Sequence, residues 1–324
     1  MSSETQSEDA SPPPVRLMFH PTIHVTSLEE SEEFFDRVFS RPSTLLEVMP
    51  AGSEPRSSDQ PKGYSKFTPI AEVLIDCVDP TLHVTDGVQH FESVEKATLF
   101  NLGWYCDDIF STYRVLKAHG IPMTSQFGTP AEGDEPPTTD QGGNLRQFYL
   151  PPDQMGLRYQ FLPWMRLPMD HRSDPEWTLP PVSEDDPLGI ERLSHHVILT
   201  KQPERAKTLT VDALKGTVIH EGRDEARGIA GPYVQVADAV IHYAMPDQDT
   251  PAAEDLATRL STDKYHAMTW KVADLDRVER HLQRIGLPIV SRTMDTIVTS
   301  AEEGLGVAWG FTTKLVPGDT LPTG

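Results

Sequence analysis

The chain has 324 residues, 37% of them hydrophobic and 8% aromatic, with a formal charge of −21 at neutral pH. That length exceeds what one small core needs and predicts two domains of a globular protein rather than a disordered chain. The acidic balance excludes a nucleic-acid binder, whose phosphate contacts need clustered Lys and Arg, and the lack of an apolar run of about 18 residues excludes a membrane-spanning helix.

The N-terminal stretch MSSETQSEDASPPP has neither the basic region nor the apolar core of a signal peptide, so residues 1–15 are expected to be a disordered tail. Next comes FHPTIHV (19–25), with His20 and His24 four residues apart. Pro21 and the β-branched Thr22, Ile23 and Val25 favour an extended chain. In a strand the two imidazoles share a face but stand roughly 13 Å apart. A zinc-like ion takes nitrogen ligands at about 2.1 Å, so at most one of the two binds a given ion. An amphipathic helix follows, then short extended segments such as AEVLIDCV (71–78).

Further on, DDIFSTYRVLKAHGIPMTS parallels ADLDRVERHLQRIGLPIVS at a constant displacement of 166 residues. Each reads as a helix closed by a glycine and followed by a strand. HPTIHVTSLEESEEFFDRVF and HVILTKQPERAKTLTVDAL match more weakly as strand, polar turn and helix. More extended segments lie at LRQFYL (145–150), GLRYQF (156–161), YVQVADAVIHYA (233–244) and GVAWGF (306–311). A Pro- and acid-rich stretch marks a linker at about 166–189. The expected architecture is α+β, with four βαβββ modules forming two cupped-sheet domains at 16–165 and 190–316, and a tail at 317–324.

Cys77 and Cys106 are too few for a disulfide framework and fit a reducing cytoplasm. A small-molecule substrate is the expected partner, with no nucleic acid and no membrane; a homodimer is left open.

The segments HPTIHVTSLEESEEFF and SHHVILTKQPERA, with NLGWYCDDI and TWKVADLDRV, resemble the opening strands and helices of the vicinal-oxygen-chelate superfamily: glyoxalases, extradiol dioxygenases, fosfomycin-resistance enzymes and bleomycin-binding proteins. The likeness covers roughly 16–162 and 190–315. It implies a divalent metal (Fe2+, Mn2+ or Zn2+) held inside a cup by the first and last strands of the units. The first-strand positions implied are His20, Asn101, His196 and Ala267; the last-strand positions are Asp76, Gln160, His242 and Gly310. If units pair in sequence, the first cup offers His20, Asp76, Asn101 and Gln160. The second offers His196 and His242, with His266 one residue out of register, where a bulge would turn it inward. If the first unit pairs with the fourth, Gln160, His196 and His242 cluster instead. The fourth unit carries Gly310 where extradiol dioxygenases carry their carboxylate.

The resemblance implies a metal-dependent enzyme acting on a small substrate with adjacent oxygens, dioxygenase-type first and lyase or isomerase next. The alternative is a metal-free drug-sequestering binder of the same fold. His24 and one of His195 and His196 are the acid–base candidates, since imidazole titrates near neutrality. Only one of those neighbours can face inward, because strand residues alternate. Arg158 is the candidate anion clamp, with Asn101 also on the substrate side.

Overall fold

β-Branched Thr22 and Ile23 hold the first segment extended, and in the computed structural model it forms β1 (Leu17–His24). The structure describes residues 14–46, 61–138, 144–259 and 262–322; positions 1–13 of the expected tail lie outside that range. The first unit continues with α1 (Leu28–Phe39), β2 (Thr44–Leu45), β3 (Ser65–Ile70) and β4 (Val73–Val78). A small hairpin, β5 (Val84–Thr85) and β6 (Val88–Gln89), precedes the second unit. That unit comprises β7 (Thr98–Cys106), α2 (Ile109–Ala118), β8 (Phe148–Leu150), α3 (Pro152–Met155) and β9 (Arg158–Pro163). The third unit is β10 (Ile190–Leu199), α4 (Pro203–Lys207) with a π-helical turn (Thr208–Ala213), β11 (Thr217–Asp224), β12 (Ile229–Val236) and β13 (Ala239–Pro246). After α5 (Pro251–Ala257) the fourth runs β14 (Lys264–Val272), α6 (Leu275–Ile285), β15 (Ile289–Arg292), β16 (Thr296–Thr299) and β17 (Gly310–Thr312).

The strands make a seven-stranded sheet, β2-β3-β4-β1-β7-β9-β8, and an eight-stranded one, β11-β12-β13-β10-β14-β17-β16-β15. Units therefore pair in sequence, one with two and three with four; the first-with-fourth arrangement is not the one adopted. The last expected strand is shorter than its sequence pattern, reduced from 306–311 to Gly310–Thr312. Pro21 sits in a central strand, where a missing N–H is ordinarily costly. Here it faces the stretch before the β4 ladder begins, since that pairing starts only at Thr22.

The helices begin and end as their sequences dictate. Ser27 caps α1 by accepting from Glu30 N, and Asp108 and Asp274 cap α2 and α6 in the same way. Gly286 closes α6 at φ 71°, a conformation L side chains rarely adopt. The buried face of α1, including Phe34, Phe35, Val38 and Phe39, reaches across to Trp309, whose ring lies 5.0 Å from Phe39. His281 of α6 is only 5% exposed. Its Nε2 donates to the Val38 carbonyl at 2.8 Å, while Nδ1 accepts from Arg284. The two sheets thus share one helix-lined core.

A reciprocal pair of carboxylates joins the first strands. Asp238, in the β12–β13 turn, accepts from Met18 N at 2.6 Å, and Glu72, in the β3–β4 turn, accepts from Leu193 N at 2.8 Å. The segment expected to be a linker is packed rather than loose. Arg172 donates to the carbonyls of Met18, Phe19 and Glu72, and Leu167 and Met169 pack with Phe19, Phe67 and Leu162. Among the described residues, no helix is long and apolar enough to cross a membrane.

Candidate functional site

In each cup, neighbouring strands bring residues far apart in sequence into cross-strand rows. In the first sheet one row reads Phe67, Asp76, Thr22, Asn101, Arg158. The next reads His20, Gly103, Gln160, Tyr149. Strands lie about 4.8 Å apart, so side chains from adjacent rows meet over the concave face. His20 Nδ1 stands 4.0 Å from Asp76 Oδ2, and Ser65 Oγ donates to the other Asp76 oxygen at 2.5 Å. Gly103 leaves the room that His20 needs: a Cβ there would lie 3.3 Å from His20 Nε2.

Burial sets the electrostatics of this cup. It raises the Asp76 carboxyl from 3.8 to about 7, against the Ser65 hydrogen bond. It lowers His20 to about 3, assisted by the charge of Arg172. Asn101 Oδ1 is buried without a hydrogen-bond partner among the described residues. Gln160 lies in the adjoining row and donates to Gln147 at 3.5 Å. Arg158 spans the cup wall, 4.2 Å over the Tyr149 ring and 5.8 Å from both Phe91 and Phe100, with Nη2 on the Gln126 carbonyl. No carboxylate pairs with it among the described residues, and burial lowers its pKa.

His24 faces the same cup but lies farther along β1. It stacks on Phe100 at 3.7 Å, where a bulge turns that residue inward, and burial with Arg158 lowers it to about 3. His83 and His90 pack with Phe91 and Phe127 beside it. Their signal was aromatic neighbours in sequence, too common a pattern to single out.

In the second sheet the rows are Tyr233, His242, Val197, Ala267 and His195, Thr269, Gly310. His195, not His196, accompanies His242, their ring centroids 6.1 Å apart. His196 turns to the opposite face and bonds Tyr265 Oη at 2.5 Å, so it is not brought to His242. The helix cap held the signal for this register: His20 lies seven residues before the α1 cap Ser27, and His195 seven before the α4 cap Gln202. His266 is the bulged residue of β14, as anticipated, yet its Nδ1 is committed to Asp255 of α5 at 2.7 Å. That helix packs Ala252 and Leu256 against Val197 and Leu199. The proton-carrying candidates His24 and His195 therefore occupy different cups.

Among the described residues, no group of three or more His, Cys, Asp and Glu side chains is arranged to hold an ion. The first cup still offers one imidazole, one carboxylate and an unpartnered amide oxygen. That set fits a divalent ion through two strong ligands. The second cup does not, because Arg227 holds its guanidinium beside the two histidines.

No family model matches the chain, and no curated protein matches it. Solved structures do. A triple mutant of 4-hydroxymandelate synthase from Streptomyces coelicolor aligns with TM-score 0.59 and 14% identity over 95% of this chain and 96% of that one. LapB, a 2,3-dioxygenase from Pseudomonas sp. KL28, aligns with TM-score 0.55 and 12% identity over 94% of each chain. The chain has the vicinal-oxygen-chelate fold in its two-domain form.

Proposed function

We propose that the first cup is the working site of a metal-dependent enzyme acting on a small substrate with adjacent oxygens, dioxygenase-type ahead of lyase or isomerase. The juxtaposition of His20 and Asp76 carries this reading: two good ligand types, drawn from β1 and β4, meet 4.0 Å apart on the concave face. A divalent ion bound there supplies Lewis-acid stabilisation of negative charge on the substrate oxygens.

The chain's own side chains do the rest. Arg158, stacked on Tyr149 and unneutralised by any described carboxylate, holds an anionic group of the substrate. Phe91 and Phe100 flank that guanidinium and keep water from it. Thr22 Oγ1 lies 3.0 Å from His20 Nδ1 and orients the imidazole, and Ser65 does the same for Asp76. His24 on the same strand, lowered to about 3, stays neutral and is placed to accept a hydrogen bond from the substrate rather than to take its proton.

The test is metal analysis of the purified protein. Stoichiometric iron, manganese or zinc that is lost in both His20→Ala and Asp76→Asn supports this reading. Metal retained by both variants removes it. A second reading, a metal-free small-molecule binder, is favoured by the amides Asn101 and Gln160 standing at ligand positions. A metal-free protein that still binds an aromatic carboxylate through Arg158 supports that reading instead.

A further inference from the structure

A glycine and an arginine set the second cup apart. A side chain at Gly310 would collide with Arg227 Nη2 and Thr269 Oγ1, so the residue's lack of a side chain is what admits the guanidinium. Arg227 is delivered by the tip of the β11–β12 hairpin, next to Gly228 at φ 63°. Nη1 donates to Asp224 at 2.7 Å and Nη2 to the Ala308 carbonyl at 3.1 Å. The guanidinium, always charged, is thereby fixed inside the cup at 6% exposure.

Around it lie buried polar atoms that bond no described residue: Arg227 Nε, Thr269 Oγ1, His195 Nε2 and both ring nitrogens of His242. The backbone of Gly231 approaches His242 without the geometry of a full hydrogen bond. Buried polar groups in folded proteins are paired almost without exception, so such a cluster needs a partner. Arg227 Nε and Thr269 Oγ1 are donors, and a neutral imidazole adds one N–H at His242. Asp224 offsets part of the guanidinium charge beside the two histidines, and the donors that remain, Arg227 Nε, Thr269 Oγ1 and one N–H of His242, call for a further acceptor.

We propose that the second cup works without a metal: Arg227 takes the place of the cation and, with Thr269, His195 and His242, binds a small carboxylate. Asp224 neutralises one edge of the guanidinium and leaves the Nε edge for the ligand. This goes beyond the reading of the first cup and stands or falls separately.

The experiment follows the histidine side-chain signals of full-length, 15N-labelled protein. With EDTA present, acetate is expected to move the His195 and His242 imidazole signals, with affinity reduced ~10-fold or more in Arg227→Gln and Thr269→Val. Without EDTA, Zn2+ is expected to leave those two signals unmoved. Thr269→Val removes only a hydroxyl and carries the test if Arg227→Gln does not fold. Three results overturn the proposal: no response to acetate, a response that survives both substitutions, or Zn2+ shifting His195 and His242.

Discussion

Asp76 is where the chemistry of the first cup is most exposed to test. Burial lifts its carboxyl from 3.8 to about 7, so the folded chain keeps a proton that the unfolded chain releases above about pH 4. Its contribution to stability is therefore present at low pH and falls as pH rises toward 7. The histidines act in the opposite sense: His20, His24, His196 and His242 are lowered from 6.5 to about 3, and their contribution is lost as pH falls through that window. Four lowered histidines outweigh one raised carboxyl, so stability is expected to rise from about pH 5 to 7, and Asp76→Asn is expected to steepen that rise, read from urea midpoints in metal-free buffer. An unchanged slope would place the titrating group elsewhere. His20 and Asp76 were named through the resemblance, as first- and last-strand positions of one unit, and the fold brings their side chains within 4.0 Å. His195 was not distinguished from His196, because a one-residue register shift reverses every side chain and the register of β10 is decided by bulges against β14.

At the level of elements, the helices are the most local part of the fold. Ser27→Ala removes the acceptor for Glu30 N and is expected to cost about 1 kcal/mol in urea denaturation, with no change in the far-UV spectrum. Trp309→Ala, cut from the centre of the ring cluster with Phe34, Phe35 and Phe39, is expected to cost about 3–5 kcal/mol. A cost near zero would mean that α1 does not anchor the two halves. The caps Asp108 and Asp274 and the terminating Gly120 and Gly286 could be read directly, since caps depend on neighbours within one turn. By contrast, nothing local announced that α5 would pack inside the second cup, or that Leu167 and Met169 would close one end of the first.

For the molecule as a whole, the pair Asp238–Met18 and Glu72–Leu193 ties each sheet to the other's first strand. Those strands also carry His20 and His195, so the clamp positions both cups. Asp238→Ala and Glu72→Ala are each expected to cost about 1–3 kcal/mol, the penalty of a buried N–H left unpaired. Together they are expected to separate the unfolding of the two halves in calorimetry. One sharp transition in the double variant would assign the coupling to the helix interface alone.

By itself the sequence determined the four-unit order, the caps, the polar inward face of each strand and the candidacy of His20, Asp76, His242 and Arg158. The unit order and the caps follow from propensity and from periods of two and 3.6 residues, which act over a few neighbours, whereas His20, Asp76 and His242 became candidates through the resemblance. Only the tertiary structure decided how the units pair, that His195 and not His196 meets His242, and that Arg227 descends from a hairpin tip onto Gly310. Those outcomes depend on bulges, on hairpin reach and on which side chain fills a space another leaves empty, and such terms connect residues that the linear pattern keeps apart.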